Sequence, residues 1–200
     1  MKHTSQRTQT SRQDEARDRL LSATEALIGE VGTSGFTLAD VGARAGLSRG
    51  LASHYFPNKD ALVYAAAERL LAVDPDEVEP DLGLSVLMRN VTASFSAAST
   101  QPKTRARLVI LGQAHASSPY RSLASRYLAG RIEMVAAHLR CGVSSGEIRA
   151  DLDVSAQAAL IVYATLGASH VRAAGSGDLR PAGVAREYAR TLRISLERPA

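Results

Sequence analysis

An all-α fold of about nine helices is predicted by three observations. Apolar residues recur at three- and four-residue spacing in one segment after another, as a single buried helix face requires. Pro, Gly, Ser and Asp divide those segments at intervals of one helix length. The unbroken apolar run Leu108 to Leu111 has polar flanks, Arg105, Arg107 and Gln113, and no strand-like segment to pair with, so it is read as part of a buried helix.

The elements follow in order. Ala16, Leu20, Ala23, Leu27 and Val31 lie on one face of a first helix, with Ser11 and Asp14 in the form of a capping box and Gly29 and Gly32 where it would stop. Thr37 with Asp40 forms a second capping box, opening a short segment of Leu38, Val41 and Ala45 that ends at Gly46. Ser48 is placed to cap a third helix from Arg49 to about Tyr55, which Pro57 and Asn58 break. A fourth runs from Asp60 through Leu62, Ala66, Arg69 and Val73. Asp74 to Asp81, with five carboxylates, Pro75 and Pro80, reads as a solvated linker. Beyond it, helices are expected at about 82–99, 103–116, 120–143, 154–174 and 181–196. The division expected is 14–73 for a small N-terminal domain and 82–200 for a larger C-terminal one.

Composition narrows the function classes. With 45% hydrophobic and 22% charged residues in 200, the chain belongs with folded globular proteins that bury a large core. No unbroken apolar run approaches the length needed to cross a bilayer, and Met1 to Arg12 has no apolar stretch of a secretory leader. A cytoplasmic chain without a membrane partner is expected. The single Cys141 excludes an intrachain disulfide and any multi-cysteine zinc site. The net charge of +4 divides as +1 over residues 1–60, −4 over 61–101 and +7 over 102–200. Bulk charge therefore does not mark the N-terminal part as a nucleic-acid binder; only a motif can.

That motif is Thr37 to Phe56, TLADVGARAGLSRGLASHYF. Two short helices joined by a tight turn need a small residue where they touch and a Gly at the turn, which Gly42 and Gly46 supply. Leu38, Val41, Leu47 and Leu51 give the pair an apolar underside. Such a unit fits its second helix into a major groove.

Continued through Pro57-Asn58-Lys59-Asp60-Ala61-Leu62, this segment closely resembles the DNA-binding domain of the TetR family of transcriptional regulators, over about residues 14–73. The helix-opening threonine, Ala-Gly-Leu-Ser-Arg-Gly across the turn, the aromatic pair and Asn-Lys before the fourth helix carry the resemblance. Gly146 to Asp153 is similar to the family's approach to its penultimate helix. One departure is Ala52-Ser53, where the family most often has Leu-Tyr; Ser53 then takes the place of a phosphate-contacting tyrosine and Tyr55 inherits the aromatic contact. A subset regulating choline and betaine metabolism carries a similar Ser-His-Tyr-Phe.

The residue types suggest roles. Thr37 and Ser48, at helix N-termini, are expected to donate to phosphates. Arg49 is the candidate for bidentate contact with guanine, and Gly50 lets the helix approach closely. Ser53 and His54 are placed for base edges or backbone, Tyr55 and Lys59 for phosphates. The alternatives are a solvated helix-terminal charge for Arg49 and small-core packing for His54 and Tyr55. Phe36, Phe56 and Leu62 are read as core.

For the larger domain the resemblance implies an effector cavity, with Met88, Val91, Phe95, Leu111, His115 and Tyr127 as candidate lining. It also implies a homodimer built on the last two helices, for which Ile161, Thr165, Ala168, Val184, Tyr188 and Leu192 are candidates; ordinary core is the alternative for these stripes. Two recognition helices about 34–36 Å apart would read a palindromic double-stranded operator. His138 and Cys141, one turn apart, with His115 and His170 elsewhere, make no ligand set, and Gly175-Ser176-Gly177 lacks the pattern of a phosphate loop. No nucleophile or acid/base constellation stands out, so neither enzyme activity, cofactor nor metal is expected. The function expected is a repressor released from its operator by a small molecule. The alternative is a helical ligand-binding or protein-interaction module that does not bind DNA.

Overall fold

The computed structural model describes residues 3–72, 82–95, 101–115, 117–175 and 181–197. The sequence-predicted linker Asp74 to Asp81, the helix ends at 96–99 and 116, and Ser176-Gly177 lie outside them. Among the described residues the structure is all helical: α1 (His3–Val31), α2 (Leu38–Arg44), α3 (Arg49–Tyr55), α4 (Lys59–Leu70), α5 (Leu84–Ser94), α6 (Pro102–Gln113), α7 (Ser118–Ser145), α8 (Val154–Ala173) and α9 (Pro181–Leu196).

Contacts divide the chain into two compact units. One holds the described residues up to Ala72 together with Arg105–Leu123, and the other those between 73 and 104 and from Ala124 onward. The segment containing most of α6 and the start of α7 thus packs with the N-terminal helices.

In the first unit, α1 begins well before Ser11. Ser11 is therefore not a cap but a helix residue, its hydroxyl donating to Glu15 at 3.4 Å. No Pro or Gly lies upstream to stop the helix, and Gly29 is buried within it and does not end it. The helix ends where Gly32 adopts φ +75°. Leu20, Ile28, Phe36, Val41, Phe56, Leu62 and Leu70 are buried, so the core assignments of Phe36, Phe56 and Leu62 hold. Arg69 of α4 ties that helix to α1, donating to Glu25 at 2.6 Å, Ser22 at 2.9 Å and Asp18 at 3.3 Å. Arg107 of α6 donates to the Leu70 carbonyl at 3.0 Å, and Tyr120 of α7 meets Tyr64 of α4 edge-on at 5.7 Å. Burial there, with Asp60 and Tyr64 near, pushes the Tyr120 hydroxyl above its usual pKa.

In the second unit, α5, α8, α9 and the later part of α7 enclose a core that includes Leu87, Val91, Phe95, Leu139, Ile161 and Leu196. Gly142 is where Ile148 packs: a Cβ there would stand 2.5 Å from the Ile148 side chain. Arg149 donates its main-chain N–H to Leu196 O and its Nε to Ser195 O, both at 3.0 Å, joining the 146–153 connection to the end of α9. Asp153 then caps α8, accepting from Ala156 N–H at 3.0 Å. Sequence reading found no unbroken apolar run of spanning length. Nonetheless α8, which holds no charged residue from Val154 to Val171, is long and apolar enough by length and composition to cross a membrane, with 28% of that window buried. Ser155, Gln157, Thr165 and Ser169 interrupt the run without adding charge.

Candidate nucleic-acid interface

Two short helices carry the site, and the turn between them is closed by local chemistry. Leu47 N–H reaches Gly42 O at 2.8 Å and Gly46 N–H reaches Ala43 O at 3.0 Å, a Schellman motif with Gly46 at φ +64°. A side chain at Gly42 would press its Cβ to 3.2 Å from Leu47 O, so the two glycines serve as the sequence suggests: one at the turn, one at the close approach.

Thr37 caps α2 in a complete capping box. Its N–H and hydroxyl both donate to the Asp40 carboxylate at 2.7 Å, and Asp40 N–H returns to the hydroxyl at 3.3 Å. These bonds hold the Asp40 carboxyl below its ordinary pKa. The two Thr37 donors expected to meet a phosphate are thus engaged within the chain, and the N–H groups of Leu38 and Ala39 are the first-turn donors of α2 without an intrahelical acceptor. Ser48 caps α3 by accepting from Leu51 N–H at 3.2 Å, which leaves its hydroxyl proton to donate outward.

Along α3, Ser48, Gly50, Ser53 and His54 are exposed and Tyr55 is half-buried. The side chain of Arg49 lies outside the described residues. His54 stands edge-on to Tyr55 at 5.6 Å, on the surface and not in the small core. A Cβ on Gly50 would meet nothing within 4 Å, so no contact in the fold demands glycine there.

Lys59, at the start of α4, is turned inward. Its Nζ donates to Phe36 O at 2.6 Å and sits 4.7 Å from the Phe36 ring centroid, fixing the peptide that leads into α2. Its other two protons remain as donors on that edge of the motif. Sequence reading missed two arginines of α1. Arg17 lies over the Phe56 ring at 5.6 Å, and Arg19 donates to the carbonyls of Ala45 and Gly46, the latter at 3.3 Å. Neither contact leaves a local signal, because the partners are more than 25 residues away.

The candidate effector residues are not brought together in one unit. Met88, Val91, Phe95 and Tyr127 are buried in the second, whereas Leu111 and the exposed His115 belong to the first. Phe95 packs against Tyr188 at 5.4 Å. Within the second unit an open groove of about 780 Å³ runs along α5 and α9 between Met88, Arg89, Thr92, Ala189, Arg190 and Arg193. The dimer candidates divide between core and surface. Ile161 and Leu192 are 1% and 4% exposed, part of their own unit's core, and Thr165 donates back to Ile161 O at 3.0 Å. Ala168 and Tyr188 are half-buried, and of the six candidates only Val184 is largely exposed. The apolar residues that do face outward are Leu160, Tyr163 and Val171 on α8 and Val184 and Ile194 on α9. Among the described residues no group of three or more His, Cys, Asp or Glu could hold a metal ion.

A tri-helical head whose second short helix is capped, exposed and polar along one face defines a helix-turn-helix domain of the groove-reading class. The family profile described as "Bacterial regulatory proteins, tetR family" matches residues 20–72. The HTH-type transcriptional regulator BetI of Paraburkholderia phymatum is 36% identical over 94 residues, 47% of this chain and 41% of that protein. CymR of Pseudomonas putida is 44% identical over 64 residues, 32% of each chain. The matches thus span 41% and 32% of the length of these two relatives. Across 93% of this chain and 100% of the other, the fold superposes on a putative transcriptional regulator from Saccharomonospora viridis solved with choline, at a TM-score of 0.81 and 18% identity. Residues 20–72 thus match the N-terminal domain of the TetR family, and the likeness of the rest of the chain is one of fold.

Proposed function

We propose that this chain is a homodimeric transcriptional regulator that binds a palindromic operator through α3 and is released from it, as a repressor, by a small-molecule effector held in its second unit. The observation that carries the reading is α3 itself: a capped helix whose Ser48, Gly50, Ser53 and His54 face solvent, with a glycine that the fold does not require. A helix exposing polar residues and a bare backbone stretch is what close approach to base edges needs. Arg49, Ser53 and His54 are assigned to base edges. Ser48, Tyr55, Lys59 and the first-turn N–H groups of α2 are assigned to phosphates.

The dimer is supported by the outward apolar residues Leu160, Tyr163 and Ile194, exposed by 58%, 59% and 65%. Large apolar side chains so exposed favour burial against a second copy. A cytoplasmic location fits this role. The likeness to the choline-bound structure, at 18% identity, is one of fold. Selection from a random-sequence duplex library with the purified protein tests the reading. Enrichment of an inverted repeat with half-sites about 10 base pairs apart is expected; enrichment of no sequence would overturn it in favour of a helical module that does not bind DNA.

A further inference from the structure

Two cations grip the two ends of α2. Lys59, from α4, donates to the carbonyl of Phe36 just before the cap, and Arg19, from α1, donates to the carbonyls of Ala45 and Gly46 just after the last turn. Between these grips α2 is held to α1 by a surface ion pair, Arg44 donating to the two Glu30 carboxylate oxygens at 2.6 and 2.7 Å, and by little buried area. Of its seven residues only Val41 and Gly42 are buried, and a helix of two turns does not sustain its own direction.

The carbonyls that Arg19 takes are special in position. The Schellman bonds satisfy Gly42 O and Ala43 O, so Ala45 O and Gly46 O are the outward acceptors of the link that sets the angle between α2 and α3. A cation there is also favoured by the partial negative charge of the helix end. Arg19 is an exposed residue of α1 and contributes no side chain to the core. The fit is close enough that a Cβ on Gly46 would stand 2.8 Å from its Nη2.

We propose that Arg19 is a positioning residue for DNA reading, fixing the α2–α3 turn so that α3 meets the groove at a single angle. This rests on the DNA-binding reading above. Without the guanidinium, water replaces it on the two carbonyls and the head stays folded, but the turn samples several angles. Base contacts require one register, whereas phosphate contacts made by long side chains tolerate several.

The test compares wild type, Arg19→Met and Arg19→Lys on the duplex that wild type enriches from a random library and on a scrambled duplex, across a salt series, with amide exchange at Gly46 and Leu47, the two bonded amides of the turn, read in free protein. Arg19→Met is expected to lose roughly tenfold on the selected duplex, comparable with one well-formed base contact. Its binding to scrambled duplex and its salt slope should match wild type, and the two amides should exchange faster. Arg19→Lys, able to serve one carbonyl, should recover part of the loss. A fall on both duplexes with the salt slope reduced by about one would make Arg19 a phosphate contact and overturn the proposal, as would unchanged discrimination. If wild type enriched no duplex, the DNA reading would fail and take the proposal with it. That result is distinct from a selective wild type with an equally selective variant.

Discussion

Replacing Gly50 with Ala separates what the fold needs from what DNA needs. Gly50 is the second residue of α3, it is exposed, and a Cβ there meets nothing within 4 Å. It also has no left-handed backbone angle that would strain an alanine. Glycine in a helix costs about 0.5–1 kcal/mol relative to alanine. Gly50→Ala should therefore stabilise the free first unit by roughly that amount, raising its thermal transition by roughly 2–8 °C for a unit of this size. If α3 lies in the groove with Gly50 against DNA, the added methyl holds the backbone off. The loss of about one good base contact should then lower affinity roughly tenfold. Differential scanning calorimetry and fluorescence anisotropy on the selected duplex read the two effects. Higher stability with unchanged affinity would refute the docking geometry, and lower stability would refute the argument that the fold leaves Gly50 free.

Other consequences follow from the same contacts. Thr37→Ala removes the α2 cap and should cost about 0.5–2 kcal/mol by chemical denaturation at neutral pH. The Asp40 carboxyl is held below its ordinary 3.8 by the Thr37 hydroxyl and N–H, so its stabilisation is fully present above 3.8 and is lost as pH falls through the lower folded value; the gap between wild type and Thr37→Ala should narrow on acidification. Lys59→Gln keeps a donor for Phe36 O but removes the charge, and should weaken binding equally on all duplexes while reducing the salt slope by about one. Tyr163→Glu, at an exposed position, should leave the fold intact and shift sedimentation from dimer to monomer. Ile161→Ala, one residue from the middle of the same exposed face but turned into the core, should instead destabilise the unit by about 2–5 kcal/mol.

The helix-turn-helix was legible because its signals are local. Thr37 with Asp40, Ser48 three residues before Leu51, and Gly46 between them each act within one turn, and each appears in the structure with the bond the sequence implies. Arg19 and Lys59 act on carbonyls 26 and 23 residues away, and no spacing rule reaches that far. The outward side of α8 is not legible in the sequence for a different reason. Ile161 and Val162 face the core while Leu160 and Tyr163 face out, so the helix is apolar on both sides and periodicity leaves its buried side undecided. The candidate effector residues are spread along the chain from α5 to α7. Leu111 and His115 fall with the N-terminal helices because α6 is anchored there by Arg107, a contact made through its side chain to the end of α4.

The central claim, that α3 reads DNA sequence, is met most directly by anisotropy of wild type and Arg49→Ala on DNA flanking the protein's own gene and on scrambled DNA, each at two salt concentrations. The account predicts tight, salt-steep binding of wild type to the native fragment, weaker binding to scrambled DNA, and loss of that preference in Arg49→Ala. Equal and weak binding of wild type to both DNAs, unchanged by the substitution, would contradict it.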